Sequence, residues 1–450
     1  MDVLLWFLVL AAAGYGWYCI HRPHLAAPWA RVFQSRAALV SCVFLAAYLV
    51  AGLADSVHFR LRLERVEASS RDAYSPEVLS LLDLALGHLR RQQEKTYSAP
   101  LAARLYAREL IELPDGADAG KQLRDFPRLR FGGIHLKDEA QRWRDIAGTV
   151  LFAMFGAALA GGIIALVARR LARWRPQVPW RTAGSALFAL IALGWPVFLL
   201  SQNYHVLGTD KVGQDVLYQA LKSIRVSLAI GTITTLVLLP LGAALGIMAG
   251  YFKGWVDDVI QYLYTTLNSI PGVLLIAAFV LMLQVVIERN AELFPTAAHR
   301  ADVRLLALCA ILGLTSWTGL ARLLRGEALK LSQLEYIQAA HAFGVSDARI
   351  LSRHILPNVA HIVIISLVMD FSGLVLAEAV LSYVGVGVDP ATMSFGTMIN
   401  AARLEMGREP IVWWSLAAAF AFMFLLVLAA NLFADAVRDG FDPRVRVGGT

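Results

Sequence analysis

The residues that could act on another molecule are few, and they fall in four clusters. The most informative runs from Glu335 to Pro357, a short polar stretch between two long apolar runs. Gln338, Ala339 and Ala340 open a helical turn whose small side chains would let another protein approach the backbone. Gly344 suits a helix C-terminus, where a left-handed turn costs least without a Cβ. Ser346 and Asp347 can then cap a second helix, carrying Ile350, Leu351, Arg353 and His354, and Pro357 opens the next apolar run. The pattern predicts a helix–turn–helix plug that another protein grips. Two further clusters are turn motifs: Gly208, Thr209, Asp210, Gly213 and Asp215, and then Gly254, Trp255 and Asp257. The fourth is Glu378, a carboxylate inside an apolar run, which must face a partner, water or a bundle interior. There is no nucleophile–base constellation, no HExxH-type metal motif and no paired carboxylates in a plausible cleft, so enzymatic chemistry is not expected.

The elements that position these clusters are membrane spans. The chain of 450 residues is 58% hydrophobic and only 17% charged, which excludes an ordinary soluble domain. About 20 apolar residues cross a bilayer as a helix, and nine such runs are predicted: 3–20, 37–54, 146–168, 182–200, 225–250, 269–287, 304–320, 358–383 and 411–434. The net charge of +7 therefore reflects membrane topology and not nucleic-acid binding. Arginines following the first and third runs, those around 322–353 and those of the tail share one side if the N-terminus lies outside and the C-terminus inside. Cys19, Cys42 and Cys309 all sit in apolar runs and read as packing residues, not disulfides or ligands. Met1 and Asp2 precede the first run without a basic stretch, so a cleaved signal peptide is not expected.

This layout gives two N-terminal spans over 1–54, an inserted extracytoplasmic domain over 55–145, two more spans over 146–200, and a core over 201–450 with the docking loop at 322–357. The inserted segment mixes charges of both signs, carries a leucine-rich stretch around Leu79–Leu89 and is predicted to be small and mainly helical, with a turn at Pro114–Gly116. A glycine-bearing stretch that follows has the wrong spacing for a phosphate loop, and no other nucleotide-binding motif stands out, so an energy source would sit on another chain.

These motifs carry a family resemblance. Ala339-Ala340, Gly344 and Leu356-Pro357 resemble the EAA loop of ABC-transporter permease subunits, and Arg353-His354-Ile355-Leu356-Pro357-Asn358 resembles its dipeptide/oligopeptide branch. The Gly208–Leu217 motif, the Gly250–Asp258 elbow, Asn268–Pro271, the Leu376–Gly387 segment and the tail extend the resemblance over about 206–444. Gln338, Gln214 and Asn268 depart from the residues common there. The resemblance implies an all-α polytopic bundle of the type I ABC importer permease fold. It assigns ATPase coupling to Gln338, Ala339, Ala340, Phe343, Gly344, Ser346, Asp347, Arg353, His354, Leu356 and Pro357. It also implies a second permease subunit, two ATPase subunits carrying ATP-Mg, an extracytoplasmic binding protein and a bacterial inner membrane, with no cofactor or metal in this chain. Glu378 is expected at a gate or subunit seam. The alternative is an ion-coupled secondary transporter, which would place several ionisable groups in its spans and show inverted repeats. Only Glu378 and Asp370 stand out, and no repeat is obvious.

Overall fold

The computed structural model describes residues 2–60, 62, 75, 78–112, 122–136, 138–290, 292–294 and 296–441. The expected turn at Pro114–Gly116, the glycine-bearing stretch that follows it and the tail residues Asp442, Pro443 and Arg444 lie outside these. The helices in chain order are α1 (Asp2–Ile20), α2 (Pro23–Val32), α3 (Arg36–Ser56), α4 (Leu81–Ala85), α5 (Gly87–Arg91), α6 (Arg142–Trp174), α7 (Trp180–Leu200), α8 (Val216–Phe252) and α9 (Gly254–Ser269). They continue as α10 (Gly272–Arg289), α11 (Ala297–Ser316), α12 (Thr318–Leu331), α13 (Glu335–Ala342), α14 (Asp347–Ile350), α15 (Leu356–Val384), α16 (Phe395–Glu405) and α17 (Trp414–Phe441). Among the described residues nine helical runs are long and apolar enough to cross a bilayer, and they are the nine read from the sequence. The protein is a multi-pass, all-α membrane protein.

Two of these runs differ in detail from the sequence reading. The fifth run, read from the sequence as 225–250, starts earlier: the Gly208–Asp215 motif opens directly into α8, a single helix of 37 residues. At 1.5 Å per residue α8 is about 55 Å long, well beyond a hydrocarbon core of about 30 Å. The physical reason is local: Val216–Arg225 contains neither Gly nor Pro to break the helix. Similarly, Pro357 does not separate the second helix of the plug from the next span. The run Asp347–Val384 is continuous, with a π-helical turn over Leu351–Ile355 just ahead of Pro357. Proline has no N–H to donate and crowds the preceding turn, and a widened turn accommodates both.

The chain divides into two compact units. One comprises the N-terminus to Ser41, Ser227–Thr392 and the chain from Val427. One core of this unit gathers Leu238, Ile247, Trp317, Leu320 and Leu324 with Ile337, Ile350 and Ile355 of the polar loop. The other comprises Cys42–Val226 and Met393–Leu426. Here Leu82, Leu86 and Leu89 of the inserted segment pack with Leu217 and Tyr218 at the start of α8. The leucine-rich stretch is helical as expected, but Gly87 marks where it divides into the short α4 and α5. The described part of 55–145 also contains two antiparallel strand pairs: β1 (His58–Phe59) with β2 (Leu79–Ser80), and β3 (Glu109–Glu112) with β4 (Gln122–Asp125). Two-stranded pairs are marginal alone, and the hydrogen bonds described below attach this segment to α8 and its approach.

Candidate functional site

The polar loop folds as a plug with a buried foot and an exposed tip. Ile337, Ile350 and Ile355 are buried in the core of their unit, which fixes α13 and α14. Gly344 lies at φ +76°, the left-handed turn that reverses the chain between them. Nothing stands within 4 Å of the position of an added Cβ, so the backbone conformation alone selects glycine. Ser346 occupies the N-cap position of α14, but its side chain makes no capping hydrogen bond. Asp347 instead accepts a hydrogen bond from the Tyr251 hydroxyl at 2.7 Å, tying the plug to the end of α8. His354 stacks obliquely near Tyr336, and Asn358 donates to the Tyr336 hydroxyl at 3.2 Å. Gln338, Ala339, Arg353, Leu356 and Pro357 are exposed, and Ala340 and His354 are half-buried. Phe343, at the turn, is 88% exposed. An exposed aromatic ring on an anchored turn is the kind of side chain that interfaces use as an anchor.

The Gly254–Asp257 motif is the elbow at which α8 hands over to α9. Lys253 and Gly254 both have positive φ, which turns the chain sharply. Trp255 is 77% exposed, as a headgroup-level side chain would be. Asp257 is buried and holds Arg325 of α12 in a bidentate pair, Nε to Oδ1 and NH2 to Oδ2 both at 2.6 Å. The Arg325 pairing outweighs desolvation and lowers the Asp257 carboxyl below its ordinary value. The elbow is thereby locked to the helix that leads into the plug.

The Gly208–Asp215 motif proves to be the seat of the inserted segment, which sequence reasoning missed. Thr209 N donates to Ser98 O at 3.1 Å, and its hydroxyl donates to Thr96 O at 2.9 Å and accepts from Ser98 N at 2.7 Å. Trp414 Nε1 donates to Thr209 O at 2.9 Å from the other side. Gly213 lies at φ +75°, and a Cβ there would overlap the Glu94 carbonyl oxygen. Asp210 accepts from the backbone N–H groups of Val212 and Gln214, which shapes the turn. Asp215 caps α8 by accepting from Leu217 and Tyr218 N–H at 2.8 and 3.2 Å. Its other oxygen lies 2.8 Å from His205 Nδ1, and His205 Nε2 lies 3.6 Å from Glu94 Oε1. Glu94 in turn accepts from the N–H groups of Arg130 and Phe131 at 3.0 and 2.7 Å. The imidazole is fully buried between two carboxylates. Burial opposes its charge, but Asp215 and Glu94 outweigh that and raise its pKa to about 9. Burial likewise opposes the Glu94 charge, and His205 with the two amides lowers its pKa nonetheless.

A second buried network lies in the same unit. Lys222 of α8 reaches Asp55 at 2.6 Å and Asp83 at 3.0 Å, Arg225 reaches Asp55 at 3.0 Å, and Ser80 donates to Asp55 at 2.7 Å. Burial alone would push the Asp83 carboxyl up, but the Ser80 amide, the Tyr218 hydroxyl and the Lys222 ammonium hold it at about 2. The sequence carried a signal for this network: Lys222 and Arg225 are two cations three residues apart at the start of an apolar helix, which demands counter-charges.

Glu378 is fully buried on α15, and Ser382 one turn on donates to it at 2.7 Å. The helix ends just beyond, with Gly385 at φ +89° and Val386 N donating to Leu381 O at 2.9 Å. Tyr383, by contrast, is exposed. Within one unit, plug and elbow are joined through Tyr251, Asp347, Asp257 and Arg325.

A family profile described as "Binding-protein-dependent transport system inner membrane component" matches residues 242–447, the stretch that contains the elbow, the plug and Glu378. A glutathione transport system permease protein of Pectobacterium atrosepticum is 33% identical over 302 residues, covering 60% of this chain and 93% of that protein. The chain belongs to this family of transport inner membrane components. The permease is also 32% identical over 242 residues to an oligopeptide transport system permease protein of Mycobacterium bovis, 54% of this chain and 77% of that protein. It is 30% identical over 243 residues to a dipeptide transport system permease protein of Lactococcus lactis, 54% of this chain and 65% of that protein. It is thus a permease subunit of an ABC transport system, and the ion-coupled alternative gives way to that reading. The Gly208–Asp215 motif precedes the residues that the profile matches, so its role here rests on the hydrogen bonds to the inserted segment.

Proposed function

We propose that this permease forms half of the path of an ATP-driven importer for peptides or related small solutes, in a bacterial inner membrane. The named substrates of its relatives, glutathione, oligopeptides and dipeptides, support that class. The single observation that carries the coupling role is Phe343, 88% exposed on a turn whose foot is buried and whose neighbouring Asp347 side chain is tied to Tyr251 of α8. A load applied at the tip passes through Ile337 and Ile350 into the core and through Asp347–Tyr251 and Asp257–Arg325 into α8, α9 and α12. In this reading Gln338, Ala339, Ala340, Phe343 and Gly344 receive a separate ATPase subunit carrying ATP-Mg. Ser346, Asp347, Arg353, His354, Leu356 and Pro357 shape the rest of that surface. A second permease subunit completes the path, two ATPase subunits drive it, and an extracytoplasmic binding protein delivers the solute. Glu378 holds the end of α15 at the gate or the seam between permeases. The domain layout follows, with 55–145 outside and the plug inside.

The test is Gly344→Val in the assembled transporter. A β-branched residue at φ +76° costs about 1–2 kcal/mol locally, with no clash to spread the damage. Membrane insertion should be unchanged, while ATPase co-purification and solute uptake fall together. Normal co-purification and uptake would remove the coupling role. Orientation is tested with Leu110→Cys in a chain whose three native cysteines are serine. Leu110 is exposed and should react with an impermeant thiol reagent in intact spheroplasts; reaction only after lysis would invert the topology.

A further inference from the structure

The α6–α7 hairpin carries a cleft that the transport reading does not use. It encloses about 440 Å³, within the range of small-molecule sites. Gly161, Ile164, Gly184 and Phe188 form its apolar wall, and Arg169 and Arg181 also line it. The two helices are joined by a short turn, so Arg169 near the end of α6 and Arg181 at the start of α7 stand at the same end. The wall is built by size. Gly161 faces the Phe188 ring, where an added Cβ would lie 2.6 Å from the ring, and Gly184 faces Ala168 and Ile164 at 3.3 Å. Glycine at these positions lets the Phe188 ring and Ile164 pack close to the opposite helix and form the cleft wall, with the two guanidinium groups about two helical turns away.

Charge identifies the occupant. Arg169, Arg170, Arg173, Arg175 and Arg181 all fall near this turn, and there is no Asp or Glu anywhere from residue 146 to 209. The hairpin cannot neutralise its own cations. Trp174 is exposed at the turn, and Trp180 donates to Arg175 O at 3.2 Å, which sets the arginines at headgroup level. Phe155, Leu159, Ile163 and Leu166 of α6 are exposed, as a lipid-facing side would be. A soluble anion would satisfy the arginines but would leave the apolar slot unused. We propose that the cleft binds one anionic phospholipid, its phosphate on Arg169 and Arg181 and one acyl chain along Gly161–Phe188. Guanidinium groups match phosphate oxygens in a bidentate fork, and basic pockets between spanning helices suit anionic headgroups.

The experiment is native mass spectrometry of the full chain in detergent, titrated with dioleoyl-phosphatidylglycerol or dioleoyl-phosphatidylcholine. Wild type should retain one phosphatidylglycerol in preference to phosphatidylcholine. Each arginine should contribute roughly fivefold in affinity, so Arg169→Gln with Arg181→Gln should weaken retention about thirtyfold. Arg173→Gln with Arg175→Gln removes the same charge outside the cleft, without direct phosphate contact, and should weaken retention clearly less than the cleft pair. Ser185→Phe, which fills the cleft and keeps both arginines, should also weaken retention strongly. Should the glutamine pair fail to insert, Arg169→Lys with Arg181→Lys keeps the charge and should still lose part of the binding with the lost fork geometry. The proposal is overturned by equal losses in the two glutamine pairs, which would mean diffuse surface charge. Full retention in Ser185→Phe or in the lysine pair overturns it as well. So does displacement of the lipid by an equal concentration of glycerol 3-phosphate, which would mean a soluble-anion site.

Discussion

Raising the pH from 6.5 to 9.5 should loosen the inserted segment from the start of α8, through one residue. His205 is fully buried between Asp215 and Glu94, and its pKa is raised from the ordinary 6.5 to about 9. A raised pKa means the folded state holds the proton more tightly than the unfolded state. The resulting stabilisation is complete below about 6.5 and disappears as the pH climbs through 9. Its size is about 3 kcal/mol, from 1.36 kcal/mol per unit. Of its neighbours, Glu94 has a lowered pKa and burial lowers that of His88, so neither of these adds a step in this window. The sensitive reporters are the amides of Arg130 and Phe131, which donate to Glu94. Their hydrogen-exchange protection factors, corrected for intrinsic pH dependence, should fall by about two orders of magnitude across the window. His205→Gln should lower protection at pH 6.5 and remove the step, and Glu94→Gln should shrink it. Protection that stays flat in the wild type, or a step of the same size in His205→Gln, would refute the buried imidazolium.

Gly213→Ala should release the same segment at any pH, since its Cβ would overlap the Glu94 carbonyl oxygen and φ is +75°. Trypsin cleavage should accelerate markedly, whereas Gly148→Ala, in open space and at ordinary helical φ, should leave it unchanged. Arg325→Leu should lower thermal stability by about 1–3 kcal/mol by stranding the Asp257 carboxylate, a range discounted for the partial exposure of the pair. Adding Asp257→Asn should recover part of that loss in the same melting assay. Glu378→Gln keeps a group able to accept the Ser382 hydrogen bond and should transport nearly normally. Glu378→Leu should disturb assembly with the second permease or coupling to ATP hydrolysis, and normal uptake and coupling in it would remove any gate role for this carboxylate.

Span number, the helix–turn–helix pattern of the plug and its glycine turn were legible because each depends on local chemistry. Nine apolar runs need only length and hydropathy, and Gly344 needs only the steric cost of a Cβ at positive φ. That Glu378 needs a polar partner was legible for the same reason, but the structure chose Ser382, one turn on along the same helix. The π-helical turn before Pro357 and the unbroken 37-residue α8 were harder, since sequence shows where a helix can stop but not whether neighbours carry it through. What only the tertiary structure decided is the partnership of distant residues. Glu94, His205 and Asp215 come from three places in the chain, as do Asp55, Asp83 and Lys222, and nothing in their spacing pairs them. The Gly-Thr-Asp motif read as a simple turn because its partners, Thr96, Ser98 and Trp414, lie more than a hundred residues away. A sequence sets which charges and donors must find partners when buried; folding in space determines which ones they find.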